Sequence, residues 1–489
     1  MQPREWRWPA VPGEGRSGIS SMRHRQQQSR ETDASRGENR PHAPTVCGRI
    51  PSCDWPAIPT DAGAQCLALL FQLERSQWLT PEELRAAQLR QVEALVGEAM
   101  RAIPVWKDRL EAAGVREGLP LEGDLFARIP VLTRPTVQQM GEALWNQRLG
   151  AAHGGVHRGQ TSGSTGMPVR YLQTDLTRLF WRVFTLREHL WQGRDFSGKL
   201  AAIRSNVEKG RSSTWGAATE HVFHTGPGVS LNIREDVAVQ LDWLVAEAPQ
   251  YILTHPSNLR SLLRLAAARD VTLPGLLQVR TFGEMLPAET VDLCRQVWGV
   301  GVADVYSSEE VGNIAFQCER GRYHLQAENV LLEIIDAAGN PLPPGRVGRV
   351  VITVLHNLAM PLIRYEIGDY AAFGEACPCG RGLPVLERIA GRQRNMLRLP
   401  DGTEHWPSFP EDRWAGIAPI RQLQVVQTAI DRVVLRAVVD RPLTSSEVDA
   451  LRRVFAEVLC FPHEITVAEV DHIPRPPNAK FEDFVSELG

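Results

Sequence analysis

The chain has 489 residues, more than one hydrophobic core ordinarily supports, so two or more domains are expected. Its formal net charge of −3 gives no indication of a nucleic-acid partner or of binding to an acidic membrane surface. No apolar run of about 18 residues predicts a membrane span, and the first residues lack the apolar core of a signal peptide, which favours the cytoplasm. Eight cysteines in so long a chain do not indicate a disulfide framework, and clustered ones suggest metal binding or catalysis.

The first stretch, residues 1–60, is rich in Arg, Ser, Gln and Pro and has no apolar periodicity. It is predicted to be a disordered extension, with order beginning near Ala62. A basic arm for nucleic acid is the alternative, but acidic residues are interspersed. A start codon placed too far upstream would give the same composition.

Helices and strands then alternate up to Tyr306. Thr80-Pro81-Glu82-Glu83 predicts a helix start, with Thr80 as N-cap and Pro81 in the first position. The predicted helices are 84–101, 176–191, 237–248, 257–269 and 288–298, and the predicted strands are 200–203, 251–254, 278–282 and 302–306. Residues 129–133 are predicted as a short strand or an extended segment before a helix. Alternation at this spacing is typical of an α/β architecture with largely parallel strands.

From about Tyr323 the pattern becomes β-rich. Strands are predicted at 330–335, 348–354 and 362–365, which fit a meander or a small barrel. A last segment reads β-β-α-β, at 423–427, 432–439, 445–458 and 465–470. The predicted fold is therefore a large N-terminal α/β domain (61–391) with parallel-type sheets and a small β-barrel-like part, a hinge (392–395), and a small α+β C-terminal lid domain (396–489).

The stretch Gln160–Pro168 alternates hydroxyl residues with glycines. Glycine allows backbone N–H groups to close around an anion, and the hydroxyls add donors, so the stretch is a candidate phosphate loop. An ordinary surface turn is the alternative. The ending of a Walker loop and the spacing of a dinucleotide fingerprint are both absent.

Two later turns have a related character. Asp304–Gly312 follows a strand, where open α/β sheets place their ligands; Tyr306 can stack on a base there and a following carboxylate can hold Mg²⁺. A helix N-terminus with acids on its dipole is the alternative. In Arg364–Asp369 a carboxylate follows a turn glycine, which suits the two hydroxyls of a ribose, although a plain hairpin explains the pattern almost as well.

In order along the chain, these motifs resemble those of the ANL adenylate-forming superfamily, with Gly391-Arg392 as a further match. Within it, the chain resembles the phenylacetate–CoA ligase-like branch, which has similar features at Ile103–Trp106, Ile129–Thr133 and Cys377–Arg381. The resemblance covers about residues 80–487. It implies that a carboxylic acid, with aryl or arylacetic acids as one option, attacks the α-phosphate of ATP to give acyl-AMP and pyrophosphate. Coenzyme A then displaces AMP.

The resemblance also implies roles for individual residues. The triphosphate would be held by Thr161, Ser162, Gly163, Ser164, Thr165 and Gly166. Mg²⁺ would be bound by Thr165 and Glu310, with Glu309 as the alternative carboxylate. The nucleotide would be bordered by Gly283 and Glu284, stacked on by Tyr306, and held at the ribose by Asp369 and at the ribose or phosphate by Arg392. Lys480 would supply a mobile positive charge for adenylation.

Two alternatives to the CoA ligase stay open. One is an acyl-adenylating enzyme that passes the acyl group to an amine, a carrier protein or a cofactor in a biosynthetic or polysaccharide pathway. The other is a non-catalytic nucleotide-binding relative. It is suggested by Met167 where many members of the resembled family have lysine, by Ser307 where glycine usually follows the tyrosine, and by Arg394 and Asn395 in place of the common acidic pair at the hinge. The acyl pocket is expected around His224, His255, Phe282 and Gly283, although both histidines also fit ordinary turn or core positions. A homodimer is one option for the oligomeric state.

Cysteine and histidine spacing gives a separate hypothesis. Cys318-x5-His324 and Cys377-x-Cys379 together supply three thiolates and an imidazole, a set typical of closed structural zinc sites. Two unrelated turns are the alternative, because neither half has the common Cys-x2-Cys spacing. Cys294 and Cys460 lie in helical patterns and are expected in the core.

Overall fold

The computed structural model describes residues 44–489 apart from 54, 119, 122, 162–167, 206, 393–395, 406, 408, 410–412, 460, 474–481 and 489. Residues 44–60, which the sequence assigns to the extension, contact the rest of the fold. Val46 forms a β-bridge with Phe223, and Gly48 forms one with Pro59. The folded chain therefore begins before the predicted start near Ala62.

The described helices have the following bounds: α1 (Asp61–Ser76), α2 (Pro81–Ala102), α3 (Pro104–Ala112), α4 (Gly123–Arg128), α5 (Arg134–Met140), α6 (Asp175–Trp191), α7 (Val237–Glu247), α8 (Pro256–Arg269), α9 (Ala288–Trp298) and α10 (Ser445–Val458). Among them, none is long and apolar enough to cross a membrane. The start of α2 is as predicted: Thr80 and Glu83 form a reciprocal capping box, with Pro81 in the first turn. Cys294 is buried in α9, as expected.

The strands are β1 (Val156–Gln160), β2 (Arg170–Thr174), β3 (Leu200–Arg204), β4 (Gly210–Ser212), β5 (Gly228–Asn232), β6 (Tyr251–Thr254), β7 (Gln278–Phe282), β8 (Gly301–Ser308), β9 (Gly312–Gln317), β10 (Tyr323–Leu325), β11 (Val330–Ile335), β12 (Gly348–Val354), β13 (Tyr365–Phe373), β14 (Val385–Arg392), β15 (Leu397–Arg398), β16 (Glu404–His405), β17 (Ile420–Ala429), β18 (Arg432–Val439), β19 (Glu464–Glu469) and β20 (Phe484–Ser486).

One 12-stranded sheet runs in the order β11-β12-β13-β14-β10-β9-β8-β7-β6-β3-β5-β4. Strands β5, β3, β6, β7 and β8 are parallel to their neighbours in this series, and the β8–β9 pair begins the antiparallel half. The predicted parallel α/β part and the predicted meander are therefore two halves of one sheet. They meet at the β8–β9 hairpin.

Residues 129–133, predicted as a short strand or an extended segment before a helix, form an isolated β-bridge between Leu132 and Tyr365 and are followed by α5. One predicted strand is wrong. The strand predicted at 362–365 begins only at Tyr365, because Arg364 has φ +50° and a left-handed residue interrupts an extended run. The Arg364 guanidinium explains this conformation: it binds Glu333 at 3.0 Å and 3.1 Å and donates to the Ile129 carbonyl at 2.6 Å.

The predicted β-β-α-β segment forms a separate sheet in the order β19-β18-β17-β20. Helix α10 packs there in its own apolar cluster, with Leu451 and Phe455 fully buried. A bidentate ion pair links this part to the large sheet region: Arg260 of α8 donates to Asp483 at 3.2 Å and 2.6 Å. The predicted hinge residues 393–395 lie outside the described residues, so the division into a large domain and a lid stays a prediction.

A buried ion cluster fixes α6 against the parallel strands. The Glu188 carboxylate is 1% exposed; it pairs with Arg194 at 2.7 Å and with Arg280 of β7 at 2.9 Å. Burial opposes its ionisation, but the two guanidinium groups hold the pKa of Glu188 below its ordinary value. Helix α6 is thereby tied to the strand that ends at Phe282.

Glu188→Gln is expected to lower the free energy of unfolding by about 3–5 kcal/mol, since it leaves two buried cations without their partner. Urea unfolding monitored by circular dichroism would measure the change. The matched control is Glu457→Gln, which removes a carboxylate that pairs with Arg413 and is 66% exposed, and it should change stability by less than about 1 kcal/mol. Equal effects of the two variants would contradict the role of the cluster.

Candidate active site

The carboxyl ends of β6, β7 and β8 bring several predicted residues to one edge of the sheet. His255, which follows β6, has its ring 4.5 Å from the Phe282 ring and its Nδ1 3.0 Å from the Phe282 carbonyl oxygen. The Glu284 carboxylate accepts from the backbone N–H and the hydroxyl of Ser257, at 2.8 Å and 3.1 Å. Gly283 between them has φ +81°, a conformation that glycine adopts readily. The four predicted residues His255, Phe282, Gly283 and Glu284 therefore lie together.

Tyr306 and Asp369 are joined across the hairpin between the two halves of the sheet. The Tyr306 hydroxyl donates to Asp369 Oδ2 at 2.7 Å. Asp369 follows Gly368, whose φ is +88°, and the register of β13 and β14 pairs Asp369 with Arg392. Asp369 is thus adjacent to both Tyr306 and Arg392, and these are the three residues predicted to bind adenine, ribose and phosphate. The side chain of Arg392 lies outside the described set.

The candidate phosphate loop connects the two strands of a hairpin. Strands β1 and β2 pair up to Gln160 and Arg170, and the next residues close the base. Thr161 N donates to the Val169 carbonyl at 2.9 Å, and Val169 N donates to Thr161 Oγ1 at 3.0 Å. The predicted loop residues Ser162, Gly163, Ser164, Thr165 and Gly166 lie outside the described residues.

Glu310 lies at the base of this loop. Its side chain is 4% exposed, accepts from the Tyr365 hydroxyl at 3.2 Å and lies 3.6 Å from Nη1 of Arg134. Arg134 also donates to Thr161 Oγ1 at 2.9 Å. The neighbouring Glu309 is exposed. The Glu310 carboxylate is thus linked to the base of the loop through Arg134.

Arg134 was missed by sequence reasoning. It follows the predicted segment 129–133, and nothing in its local pattern distinguishes it from a surface cation. The contacts to Thr161 and Glu310 span 27 and 176 positions along the chain, so only the fold brings the three residues together.

A cavity of about 340 Å³ lies beside Glu310. The first turns of α6 line one side and the segment 354–357 lines the other. Phe180 and His356 stack on each other there, with ring centroids 4.0 Å apart and planes at 4°. Trp181, which is 45% exposed, and the cations Arg178 and Arg182 complete that wall. The cavity suits a ligand with an apolar or aromatic body.

His224 is placed apart from this wall. Its side chain is exposed, and its backbone N–H donates to the Thr45 carbonyl at 2.9 Å. The described residues show no contact of the His224 side chain with the predicted pocket partners His255 or Phe282. Lys480 lies outside the described residues.

Cys318, His324, Cys377 and Cys379 come together as the sequence predicted. Their ligand atoms all lie within 4.8 Å of one another. The Cys318 and Cys377 sulfurs are 3.8 Å apart, and the Cys379 sulfur is 3.3 Å from His324 Nε2. A tetrahedral zinc with Zn–S near 2.3 Å has S–S edges of about 3.8 Å, so these distances fit the four-coordinate geometry.

The environment of the cluster also suits a metal. Burial lowers the pKa of His324 to about 4, so the imidazole is neutral at pH 7. Its Nδ1 lies 3.3 Å from the Leu383 carbonyl oxygen, which orients Nε2 toward the thiols. Arg320 N donates to the Cys318 sulfur at 3.4 Å, a contact that stabilises a thiolate.

Asp304 lies beneath the nucleotide residues, two positions before Tyr306. It accepts from the hydroxyls of Thr281 and Tyr323, at 2.5 Å and 2.8 Å. Burial outweighs these bonds and raises the pKa of Asp304 to about 6. The carboxyl group thus joins β7, β8 and β10 below the site.

No protein-family model matches the chain. A phenylacetate–coenzyme A ligase of Thermus thermophilus is 28% identical over 348 residues, which cover 67% of this chain and 74% of that protein. A phenylacetate–coenzyme A ligase of Aromatoleum evansii is 24% identical over 359 residues, or 70% of this chain and 77% of that protein. The chain is thus similar in sequence to two phenylacetate–coenzyme A ligases. The resemblance inferred from the ordered motifs is confirmed.

Solved structures agree with this relationship at the level of the fold. A crystal structure of 2-hydroxyisobutyryl-CoA ligase in the postadenylation state matches with a TM-score of 0.67 at 19% identity, over 85% of this chain and 92% of that chain. The predicted α/β class is confirmed by this match. The roles of individual residues are not tested by it.

The raised pKa of Asp304 leads to a pH-dependent stability. Between its ordinary value of 3.8 and about 6, the folded protein binds more protons than the unfolded chain, so stability falls as pH rises through this window. Asp304→Asn has no carboxyl group to ionise, so its free energy of unfolding should not fall in this way. The difference in free energy of unfolding between the variant and the parent should therefore shift in favour of the variant by roughly 3 kcal/mol from pH 4 to pH 7. Urea unfolding of both proteins across that range is the measurement, and parallel pH curves would refute the assignment.

Proposed function

We propose that this protein activates a carboxylic acid with ATP to an acyl-adenylate and then transfers the acyl group to coenzyme A. The relationship to two phenylacetate–coenzyme A ligases supports the reaction class. The observation that carries the proposal is the convergence of Tyr306, Asp369 and Glu310 with the base of the hydroxyl- and glycine-rich loop at one edge of the sheet. With ATP and coenzyme A as co-substrates, the enzyme is expected in the cytoplasm.

The nucleotide would lie across the β8–β9 hairpin. Tyr306 offers its ring to adenine, and Asp369 offers a carboxylate to the two ribose hydroxyls, with Arg392 opposite it in register. The triphosphate would then extend toward Thr161 and the loop, where backbone N–H groups and hydroxyls would donate hydrogen bonds to its oxygens.

Magnesium would be held at Glu310 beside the triphosphate. Carboxylate and phosphate oxygens are the ligands that Mg²⁺ prefers, and the Glu310 carboxylate is already at the loop base, 3.6 Å from a guanidinium. When bound, the ion would neutralise phosphate charge as the acid attacks. Thr165 is proposed as its second protein ligand from the resemblance alone.

The organic part of the acid is assigned to the cavity beside Glu310. Its aromatic wall of Phe180, Trp181 and His356 matches an aryl or arylacetic body. The carboxylate oxygen attacks the α-phosphorus, and pyrophosphate leaves with the electron pair of the broken P–O bond. In the second step the thiolate of coenzyme A attacks the acyl carbon, and AMP leaves. Both steps gain from fixed charges that meet the developing negative charge.

A panel of aliphatic and aromatic acids in ATP–pyrophosphate exchange tests the first step, and thioester formation with coenzyme A tests the second. Exchange without thioester would favour an enzyme that passes the acyl group to an amine, a carrier protein or a cofactor. ATP binding without exchange for any acid would favour a non-catalytic relative.

Lys480→Ala is expected to reduce pyrophosphate exchange by at least about 100-fold while ATP affinity changes little, since the proposed lysine acts on the charge that develops during adenylation. Exchange kinetics and calorimetric ATP titration would measure the two quantities. Lys107→Ala on α3 removes an exposed lysine elsewhere and should leave both unchanged. Unaltered exchange in Lys480→Ala would remove the residue from the mechanism.

We further propose that Cys318, His324, Cys377 and Cys379 hold a structural zinc ion. The four ligand atoms form a closed set, which leaves no protein-derived open position for catalysis. Cys318 follows β9, and the other two cysteines lie between β13 and β14. The ion would therefore join the end of β9 to the β13–β14 connection.

Purified protein is expected to contain one zinc per chain, measured by inductively coupled plasma mass spectrometry. Cys379→Ser should reduce the zinc content to well below half, and strong chelators should lower the unfolding temperature, because structural zinc contributes on the order of 10 kcal/mol to folding. Cys53→Ser, which changes a thiol that donates to the Pro56 carbonyl oxygen at 3.7 Å, is the control and should keep its zinc. A parent protein without zinc would refute the site.

A further inference from the structure

The candidate phosphate loop has no positive charge of its own. The stretch Gln160–Pro168 contains neither lysine nor arginine, and Met167 occupies its penultimate position. A nucleoside triphosphate carries several negative charges, and loops that bind one usually add a cation to the backbone N–H groups and the metal ion. The charge must therefore come from another part of the chain.

Arg134 is the cation that the fold places at the loop base. Its side chain is only 17% exposed. Nη2 donates to Thr161 Oγ1 at 2.9 Å, and Nη1 lies 3.6 Å from Glu310 Oε1. The third nitrogen, Nε, is enclosed and has no hydrogen-bond partner within the described part of the chain. The guanidinium thus spans the first loop residue and the carboxylate proposed for magnesium.

Arg364, the arginine of the Arg364–Asp369 motif, is not placed to bind a phosphate. Its guanidinium is fully used by Glu333 and by the carbonyls of Ala127 and Ile129. It is buried among these partners and supports the turn before β13. Arg134, in contrast, lies 3.6 Å from the Glu310 carboxylate, besides its contacts to the hydroxyls of Thr161 and Tyr365.

We propose that Arg134 is a phosphate-binding residue that contacts the ATP phosphates beyond the α-phosphate and supplies the charge that the loop lacks. The proposal rests on the proposed function. In the ligand-free protein Arg134 neutralises the buried Glu310. When Mg²⁺ and ATP bind, Glu310 takes the metal and the guanidinium turns its donors to phosphate oxygens, so that cations and anions alternate along the site. The planar guanidinium presents its donors in a rigid fork that matches phosphate oxygens, whereas a lysine ammonium is a compact point charge.

The test compares calorimetric titration of MgATP and of AMP for the parent, Arg134→Gln and Arg134→Lys. AMP lacks the phosphates beyond the α-phosphate. Arg134→Gln should weaken MgATP binding by about tenfold or more, since a charge-assisted hydrogen bond contributes about 1.5–3 kcal/mol. Its AMP affinity should stay within about twofold. Arg134→Lys should lie between the parent and Arg134→Gln for MgATP.

The matched control is Lys199→Gln. Lys199 is also a partly buried cation, 25% exposed and 3.5 Å from the Glu247 carboxylate, but it precedes β3 at the opposite edge of the parallel strands. The Lys199→Gln variant should bind MgATP and AMP with the affinities of the parent. If Arg134→Gln does not fold, Arg134→Lys, which keeps the charge but not the planar guanidinium, carries the comparison of MgATP with AMP.

The outcomes separate the two proposals. Equal weakening of MgATP and AMP, or no weakening of either, would show that Arg134 acts only as a structural partner of Glu310 and would overturn this inference alone. A parent protein that binds no MgATP would overturn the proposed function and with it the role of Arg134. Selective loss of MgATP affinity supports both.

Discussion

The pairing of β8 with two different neighbours determines where the candidate site lies. On one side β8 is parallel to β7, with Thr281 opposite Asp304. On the other side it is antiparallel to β9, with Tyr306 opposite Ala315. A strand that turns back immediately after its carboxyl end exposes the turn residues at the edge where parallel strands also finish. Tyr306 and the turn that carries Glu310 therefore lie at the edge of the sheet where β6 and β7 also end.

Arg364 extends this constraint to the antiparallel half. Its positive φ would be unfavourable for an arginine on a free surface, and the bonds to Glu333, Ala127 and Ile129 compensate. Because the turn is fixed there, β13 begins at Tyr365, whose hydroxyl reaches Glu310, and continues to Asp369, whose carboxylate reaches Tyr306. One buried guanidinium thus sets the position of two residues at the nucleotide edge.

Local signals in the sequence predicted the elements that depend on local physics. The helix α10 and the strands β6, β7 and β11 have the predicted bounds, because caps, apolar spacing and turn residues lie within a few positions of each end. The zinc-type cluster was also predictable, since cysteine and histidine are rare and their chemistry is specific. Arg134 and the break at Arg364 were not, because each depends on partners many positions away. The continuous 12-stranded sheet likewise follows from long-range pairing that no local pattern encodes.

The cluster of Cys318, His324, Cys377 and Cys379 lies on strands and turns adjacent to those that carry Tyr306 and Asp369. Cys318 follows β9, the partner of the strand that carries Tyr306, and Cys377 and Cys379 lie between the strands that carry Asp369 and Arg392. Arg381 lies directly after them and stacks over Trp191 at 4.4 Å, which connects the turn to the end of α6. Helix α6 in turn begins next to the cavity and carries Glu188 in its buried ion cluster. Because the turn is held from both sides, contacts from the turn and from α6 help to fix the positions of Tyr306 and Asp369, which are hydrogen-bonded to each other at 2.7 Å.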